Sequence, residues 1–236
     1  MNLRELIRTS RPIAFFGGAG VSTESGIPDF RGVDGLYSQK YKYPPETMLS
    51  RDFFYSNPED FFEFYRDKII SVDAEPNAAH KALAWLEKEG ILSAVITQNI
   101  DGLHQAAGSE NVIEIHGGVR RNHCVKCRQF YTLDDVKSRT GVPRCSCGGV
   151  IKPDVTLYGE SLDPKAIEAA ISVVSAADAL IIGGTSLTVY PAAGLIDYYR
   201  GDKLALINKT PTPIDSRADM VIYDKIGKAL GEAVFG

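Results

Sequence analysis

The chain has 236 residues, 44% of them hydrophobic and 24% charged, with a formal net charge of −4. That size and balance fit one large globular domain, or a domain with inserts, and the negative charge disfavours nucleic acid as the main partner. No apolar stretch reaches the roughly 18 residues of a membrane span, so a soluble, cytoplasmic protein is expected. Apolar residues at 3, 6 and 7 make the N-terminus a short amphipathic helix, not a signal peptide. The run Ile13 to Phe16 then reads as a first strand. Residues 17–31 follow as Gly-Gly-Ala-Gly-Val-Ser-Thr-Glu-Ser-Gly-Ile-Pro-Asp-Phe-Arg. Glycines after a first strand let backbone N–H groups approach a pyrophosphate, and a helix N-terminus adds a favourable dipole. Gly18 and Gly20 match the first two glycines of G-x-G-x-x-G, but Thr23 occupies the third, so this is not the redox fingerprint. Pro28 prevents an ordinary long helix after the loop.

Residues 34–75 are rich in aromatics, from Tyr37 to Tyr65. Within them Asn57-Pro58 reads as an N-cap and N1 pair opening a helix through about Ile70. His80 lies on a helix after Pro76-Asn77, and Trp85 on that helix reads as core. Leu92 to Ile96 reads as a buried strand. Gln98, Asn99 and Asp101 crowd its C-terminal end, where open α/β sheets bind ligands. Val112 to Ile115 forms another strand, and His116 lies just past it. All four cysteines lie within 121–150. Cys124 and Cys127 form a C-x-x-C pair, and Cys145 and Cys147 a C-x-C pair. Two close pairs at this distance suit one tetrahedral zinc, and a cytoplasmic chain disfavours disulfides. Four thiolates close the shell, so the ion is expected to be structural. His123 beside Cys124 is a competing donor.

Further strands are expected after Ala179, Leu204 and Met220. Asp163-Pro164 opens a helix to about 175, Pro191 opens another, and the last runs from about Asp224 to Ala233. Strands alternating with helices argue for a parallel sheet covered on both faces. The aromatic and cysteine-bearing stretches break the alternation and read as inserts that build a smaller lobe. The nucleotide-binding domain would then hold 1–33, 76–120 and 151–236, and the small lobe the helical insert 34–75 and the zinc insert 121–150. Ligands are expected in the cleft between lobes. No coiled-coil pattern appears, so a monomer is the default.

The runs 18–31 and 97–104, Ile115-His116-Gly117, the four cysteines and residues 184–191 (Gly-Thr-Ser-Leu-Thr-Val-Tyr-Pro) resemble the sirtuins, in the same order. These are NAD-dependent protein-lysine deacylases, and the size and Tyr-Gly-Glu at 158–160 are similar to compact bacterial or archaeal members. The resemblance covers nearly the whole chain. It implies a Rossmann-like parallel sheet with a small lobe of a helical insert and a zinc-ribbon insert, NAD as co-substrate and structural zinc. It also implies acetylated or otherwise acylated lysine-containing proteins as partners. The C-x-C pair departs from the commoner C-x-x-C of the family, which puts the local geometry of the ribbon in question.

In sirtuin chemistry the acyl oxygen of a modified lysine attacks the anomeric carbon of NAD and nicotinamide leaves. A histidine base then frees a ribose hydroxyl to attack the acyl carbon, and O-acetyl-ADP-ribose and free lysine are released. By resemblance His116 is that base, with Asn99 and Asp101 organising the nicotinamide end and Ile100 lining its pocket. Ala19 and Thr23 match diphosphate and nearby ribose contacts, Phe30 and Arg31 cover the reactive ribose, and Gln98 bonds a ribose hydroxyl. Thr185 and Ser186 match phosphate or adenosine contacts, Asn208 an adenine-ribose contact and Ile226 an adenine contact. His80 and His104 are expected to be structural. Residues 155–160 and 187–190 offer two edges between which an extended peptide can add as a strand. Members that prefer acidic acyl groups carry Tyr-x-x-Arg in the helical insert. Here Tyr65 is present but Lys68 replaces the arginine, which favours acetyl or another neutral acyl group. The alternatives are a protein ADP-ribosyltransferase using the same NAD site and a non-catalytic NAD or ADP-ribose sensor.

Overall fold

The computed structural model describes residues 1–30, 35, 41–70 and 74–236. Arg31 and Tyr37 lie outside the described residues. The strands are β1 (Ile13–Gly17), β2 (Leu92–Thr97), β3 (Val112–Glu114), β4 (Gly117–Cys124), β5 (Phe130–Thr132), β6 (Ile151–Val155), β7 (Ala179–Gly183), β8 (Leu204–Ile207) and β9 (Met220–Ile222). The helices are α1 (Leu3–Thr9), α2 (Pro45–Met48), α3 (Arg51–Ser56), α4 (Pro58–Phe64), α5 (Ala78–Lys88), α6 (Leu103–Ala106), α7 (Leu133–Lys137), α8 (Pro164–Ala176) and α9 (Ile226–Phe235).

All six apolar runs expected as sheet strands enter one parallel sheet, in the order β3-β2-β1-β7-β8-β9. Alternate side chains of β1 feed two cores. Ile13 and Phe15 pack with Val95, Ile181 and Ile207 against residues of α1, α5 and α9. Ala14 and Phe16 pack with Ile96, Leu180, Ile182 and Leu206 against α8 and the 3-10 helix Ala192–Tyr198. Burial on both faces explains why these strands read as continuous apolar runs rather than alternating ones. The strand order reverses between β1 and β7, the switch point at whose strand C-termini an open α/β sheet holds its ligand crevice.

Local signals set the helix starts. Asn2 and Glu5 form a capping box on α1, whose Leu3, Leu6 and Ile7 are buried. Asn77 caps α5, and Asp163 caps α8 with Pro164 in the first turn. No helix among the described residues is long and apolar enough to cross a membrane.

A second, antiparallel sheet has the order β5-β4-β6. It runs from Gly117 to Val155, several residues beyond 121 and 150 on either side. Helices α2, α3 and α4 share one core with it. Phe53, Phe54, Phe61, Phe62 and Tyr65 meet Val119, Ile151 and Leu157 there. Edge-on rings at 5.0 Å join Phe54 to Phe61, and Phe61 stacks on Tyr65 at 5.7 Å.

Three expectations are corrected. The helix opened by Pro58 is α-helical only to Phe64, and a wider π-helical turn covers Tyr65–Ile69. Tyr65 points into the aromatic core while Arg66 donates to the carbonyls of Arg139 and Gly141. Pro191 precedes a 3-10 helix rather than opening an α-helix. Trp85 is not core: it is 40% exposed and meets Phe235 edge-on at 6.1 Å. The buried stripe of α5 is Ala79, Ala82, Leu83 and Leu86, and Trp85 falls on the opposite stripe with Lys81 and Lys88.

His80 and His104 are both buried, with ring centroids 4.7 Å apart. Burial pushes His80 down to about 4, with Asp101 opposing, and His104 down to about 3, with His80 adding to the effect. Both are therefore neutral in the fold while the unfolded chain takes up protons below about 6.5. Stability from this pair is complete above that pH and is lost as pH falls toward the folded values. Urea unfolding between pH 7 and 4 is expected to show falling stability, with a shallower fall in His104→Leu.

Candidate active site

The crevice is lined first by main chain. The loop after β1 folds as two 3-10 turns, Ala19–Val21 and Thr23–Ser25, separated by Ser22. It runs directly against the turn after β7. Gly20 N–H donates to the Gly184 carbonyl at 2.7 Å, and a Cβ on Gly20 would lie 2.7 Å from Gly184 Cα. Gly184 itself has φ +59. Both positions need glycine, one for close approach and one for its left-handed backbone. Leu187, with φ +56, is one of two non-glycine residues with positive φ among the described residues.

Polar side chains converge above this contact. Ser22 donates to the Asp101 carboxylate at 2.6 Å and accepts from Asn99 Nδ2 at 3.0 Å. Asp101 also accepts the Leu103 N–H at 2.9 Å, which opens α6. Asn99 is buried and its N–H reaches Thr97 Oγ1 at 3.0 Å. From the end of β2, Gln98 Nε2 crosses the crevice to Thr185 Oγ1 at 3.1 Å. His116 lies between β3 and β4, with Nδ1 3.1 Å from the Gln98 carbonyl. A carbonyl only accepts, so Nδ1 carries the proton and Nε2 keeps its lone pair. Burial lowers the His116 pKa below 6.5, and the Gln98 carbonyl opposes that shift. Gly117 keeps the turn tight, because a Cβ there would collide with the Asp154 carbonyl.

The residues matched to NAD contacts thus follow the ends of four strands, β1, β2, β7 and β8, with Ile226 at the start of α9. Ala19 and Thr23 sit in the first loop, where Thr23 Oγ1 donates to the Gly20 carbonyl at 3.0 Å. Ile100 and Phe30 are half-buried and pack on the small-lobe core. Ser186 is exposed and shares a 2.8 Å hydrogen bond with Thr188. Asn208 follows β8, and its Nδ2 braces the Thr210 carbonyl at 2.8 Å. Ile226, at the start of α9, places its side chain in the core behind Gly183. Arg31 lies outside the described residues.

The two edges expected to take a peptide differ. The N–H groups of Thr156 and Tyr158 go to the carbonyls of His116 and Leu49, and that of Leu157 goes to Glu160 Oε2. Lys152 Nζ meets the same Glu160 oxygen at 3.0 Å and fixes this loop. Residues 187–190 keep Thr188 and Tyr190 exposed.

The cysteine sulfurs all lie within 4.8 Å of one another. The pairs Cys124–Cys147 and Cys127–Cys145 are each 3.5 Å apart. A tetrahedral zinc with ~2.3 Å bonds spaces its sulfurs by ~3.8 Å, so the cluster fits one ion. The C-x-C turn is accommodated by Gly148 at φ +79 and by Gly149, where a Cβ would lie 2.6 Å from Cys124 Sγ. His123 turns to Asp154 at 2.8 Å instead of joining the sulfurs.

The Sir2 family model matches residues 18–191. The chain belongs to the Sir2 family. An NAD-dependent protein deacetylase of Clostridium tetani is 58% identical over 99% of this chain and 96% of its own. One of Clostridium acetobutylicum is 57% identical over 97% and 95%. A solved Sir2 complex with a deacetylated p53 peptide and 3′-O-acetyl ADP-ribose is 41% identical, with a TM-score of 0.87 over 98% of this chain and 96% of that one. A Sir2 homologue bound to ADP-ribose gives a TM-score of 0.90 at 38% identity, over 98% and 94%.

Against that Sir2 fold, the residue that sequence reasoning passed over is Ser22. It lies inside the glycine loop, but only folding brings it to Asn99 and Asp101. A hydrogen bond to a charged group contributes about 1.5–3 kcal/mol. Ser22→Ala is therefore expected to lower kcat/KM for NAD by about 10- to 100-fold and the melting temperature by several degrees, measured by steady-state kinetics and calorimetry. For the Sir2 zinc ribbon, elemental analysis is expected to give one zinc per chain. Cys147→Ser should lose it, with proteolysis then cutting within β4 to β6.

Proposed function

We propose that this Sir2 protein is an NAD-dependent protein-lysine deacetylase that consumes NAD and yields nicotinamide, O-acetyl-ADP-ribose and free lysine. The observation that carries the reading is the histidine held with a free Nε2 beside a polar cluster at the sheet's reversal point. NAD supplies an anomeric carbon that accepts the acyl oxygen as nicotinamide leaves. His116 Nε2 takes the proton from a ribose hydroxyl. Asn99 and Asp101, cross-braced by Ser22, hold the nicotinamide end, and Ile100 borders it. Gln98 exchanges its bond to Thr185 for one to the ribose. Ala19, Thr23, Thr185 and Ser186 line the diphosphate path, with Asn208 and the start of α9 on the adenosine side. Phe30 and Arg31 exclude water from the reacting ribose.

The large domain comprises 1–33, 76–120 and 151–236, and the small lobe 34–75 and 121–150. Structural zinc on Cys124, Cys127, Cys145 and Cys147 fastens the lobe and takes no part in the chemistry. Thiolate ligands suit a reducing, cytoplasmic compartment. The substrate is an acetylated lysine in a protein segment, bound extended between 155–160 and 187–190 by a monomeric enzyme. The Lys68 ammonium is paired with Asp67 at 3.0 Å. That pairing supports a neutral acyl group, since no arginine fork is offered to an acidic one.

Mass spectrometry of an acetyl-lysine peptide with and without NAD tests this reading. Wild type is expected to remove acetyl only with NAD and to form O-acetyl-ADP-ribose, and His116→Ala to lose activity by at least about 100-fold. ADP-ribose found on protein instead would establish the transferase alternative. Because burial lowers the His116 pKa, the neutral base is the majority form at pH 6.5. The acid limb of the kcat/KM profile should therefore have its midpoint below that of an ordinary imidazole. A succinyl peptide should react more slowly than the acetyl one.

A further inference from the structure

The glycine loop is clamped from below by two helix starts. On one side Asn77, the cap of α5, sends Nδ2 to the Val21 carbonyl at 2.8 Å and to Ser25 Oγ at 2.9 Å. On the other side Glu24 reaches the first turn of α9, where its Oε2 accepts the Gly227 N–H at 2.6 Å. These two residues are 203 positions apart in the chain.

Helix α9 has ten residues, no side-chain cap of its own and no acidic residue in its first turn. Asp224, just before it, is engaged with the Lys225 N–H and Lys228 Nζ. An uncapped helix start has orphan N–H groups and a positive dipole end, and a carboxylate satisfies both. Glu24 supplies that carboxylate from the opposite side of the crevice. The fit is close: a Cβ on Gly227 would lie 2.6 Å from Glu24 Oε2.

The contact joins the two halves of the NAD cleft. Glu24 lies in the turn Thr23–Ser25, beside the residues matched to the diphosphate. Helix α9 follows β9, and β9 is tied to Asn208, whose N–H donates to the Ile222 carbonyl at 3.0 Å. We propose that Glu24 is a positioning residue for NAD: by capping α9 from the glycine loop it sets the spacing between the diphosphate side and the adenosine side of the cleft. It does not touch the reacting atoms. The inference rests on the assignment of this crevice to NAD.

Kinetics and ADP-ribose calorimetry on wild type, Glu24→Ala, Glu24→Gln, Gly227→Ala and the double variant Glu24→Ala with Gly227→Ala test it. Glu24→Ala removes the cap. Gly227→Ala displaces the carboxylate without altering the loop sequence, while alanine is the better helix former, so the helix itself gains. Each is expected to raise the KM for NAD and the Kd for ADP-ribose by about three- to tenfold, with kcat and the peptide KM within about twofold of wild type. Glu24→Gln, which keeps a weaker acceptor, should fall between. The double variant should be no worse than the poorer single one, because both remove the same contact. Unchanged NAD affinity in Glu24→Ala and Gly227→Ala, additive losses, or an equal rise in the peptide KM would overturn the proposal. If one variant fails to fold, the other and Glu24→Gln decide it. A wild type with no NAD dependence would instead overturn the reading of the site, which separates the two failures.

Discussion

The site depends on a contact between two stretches of main chain. The loop after β1 and the turn after β7 touch through Gly20 and Gly184, with no side chain between them. The contact closes the floor of the crevice where the strand order reverses. It brings Thr185 within reach of Gln98 and places Ser22 under Asn99 and Asp101. A methyl group at either glycine would collide with the main chain of the other segment.

Satisfaction of polar groups organises the rest of the crevice. Ser22, Asn99, Asp101, Gln98 and Thr185 bond one another and nearby main chain, so the fold carries few orphaned groups there. The same network presets the histidine. The Gln98 carbonyl fixes one tautomer of His116 while burial shifts its imidazole toward the neutral form. Orientation and protonation are thus settled by one carbonyl and by exclusion of water, with no carboxylate among the causes of the shift.

The small lobe is held by different physics. An aromatic cluster on α3 and α4 and a four-sulfur cluster on the antiparallel sheet share one core. The helices and the antiparallel sheet cover each other's apolar faces, and Phe30 and Ile100 pack against the core they share.

Much of this was legible in the chain. The four central strands β2, β1, β7 and β8 were legible because a strand buried on both faces is apolar nearly throughout, and that pattern needs no tertiary information. The caps at Asn77 and Asp163, the cysteine spacing and the polar run after β2 are equally local. Where a helix narrows or widens was not legible, because 3-10 and π turns answer to packing rather than to propensity. Trp85 lies outside the core because it falls off the buried stripe of α5, and Ile226 buries its side chain in the core. Ser22 and Glu24 carried no distinguishing signal, since a serine or glutamate in a loop is ordinary until its partner is known. Their partners lie 79 and 203 residues away. Sequence by itself determined which residues could do chemistry and which strands they end. Only the tertiary structure decided which polar groups meet, because hydrogen bonds across such separations exist only once the sheet has brought its strand ends together.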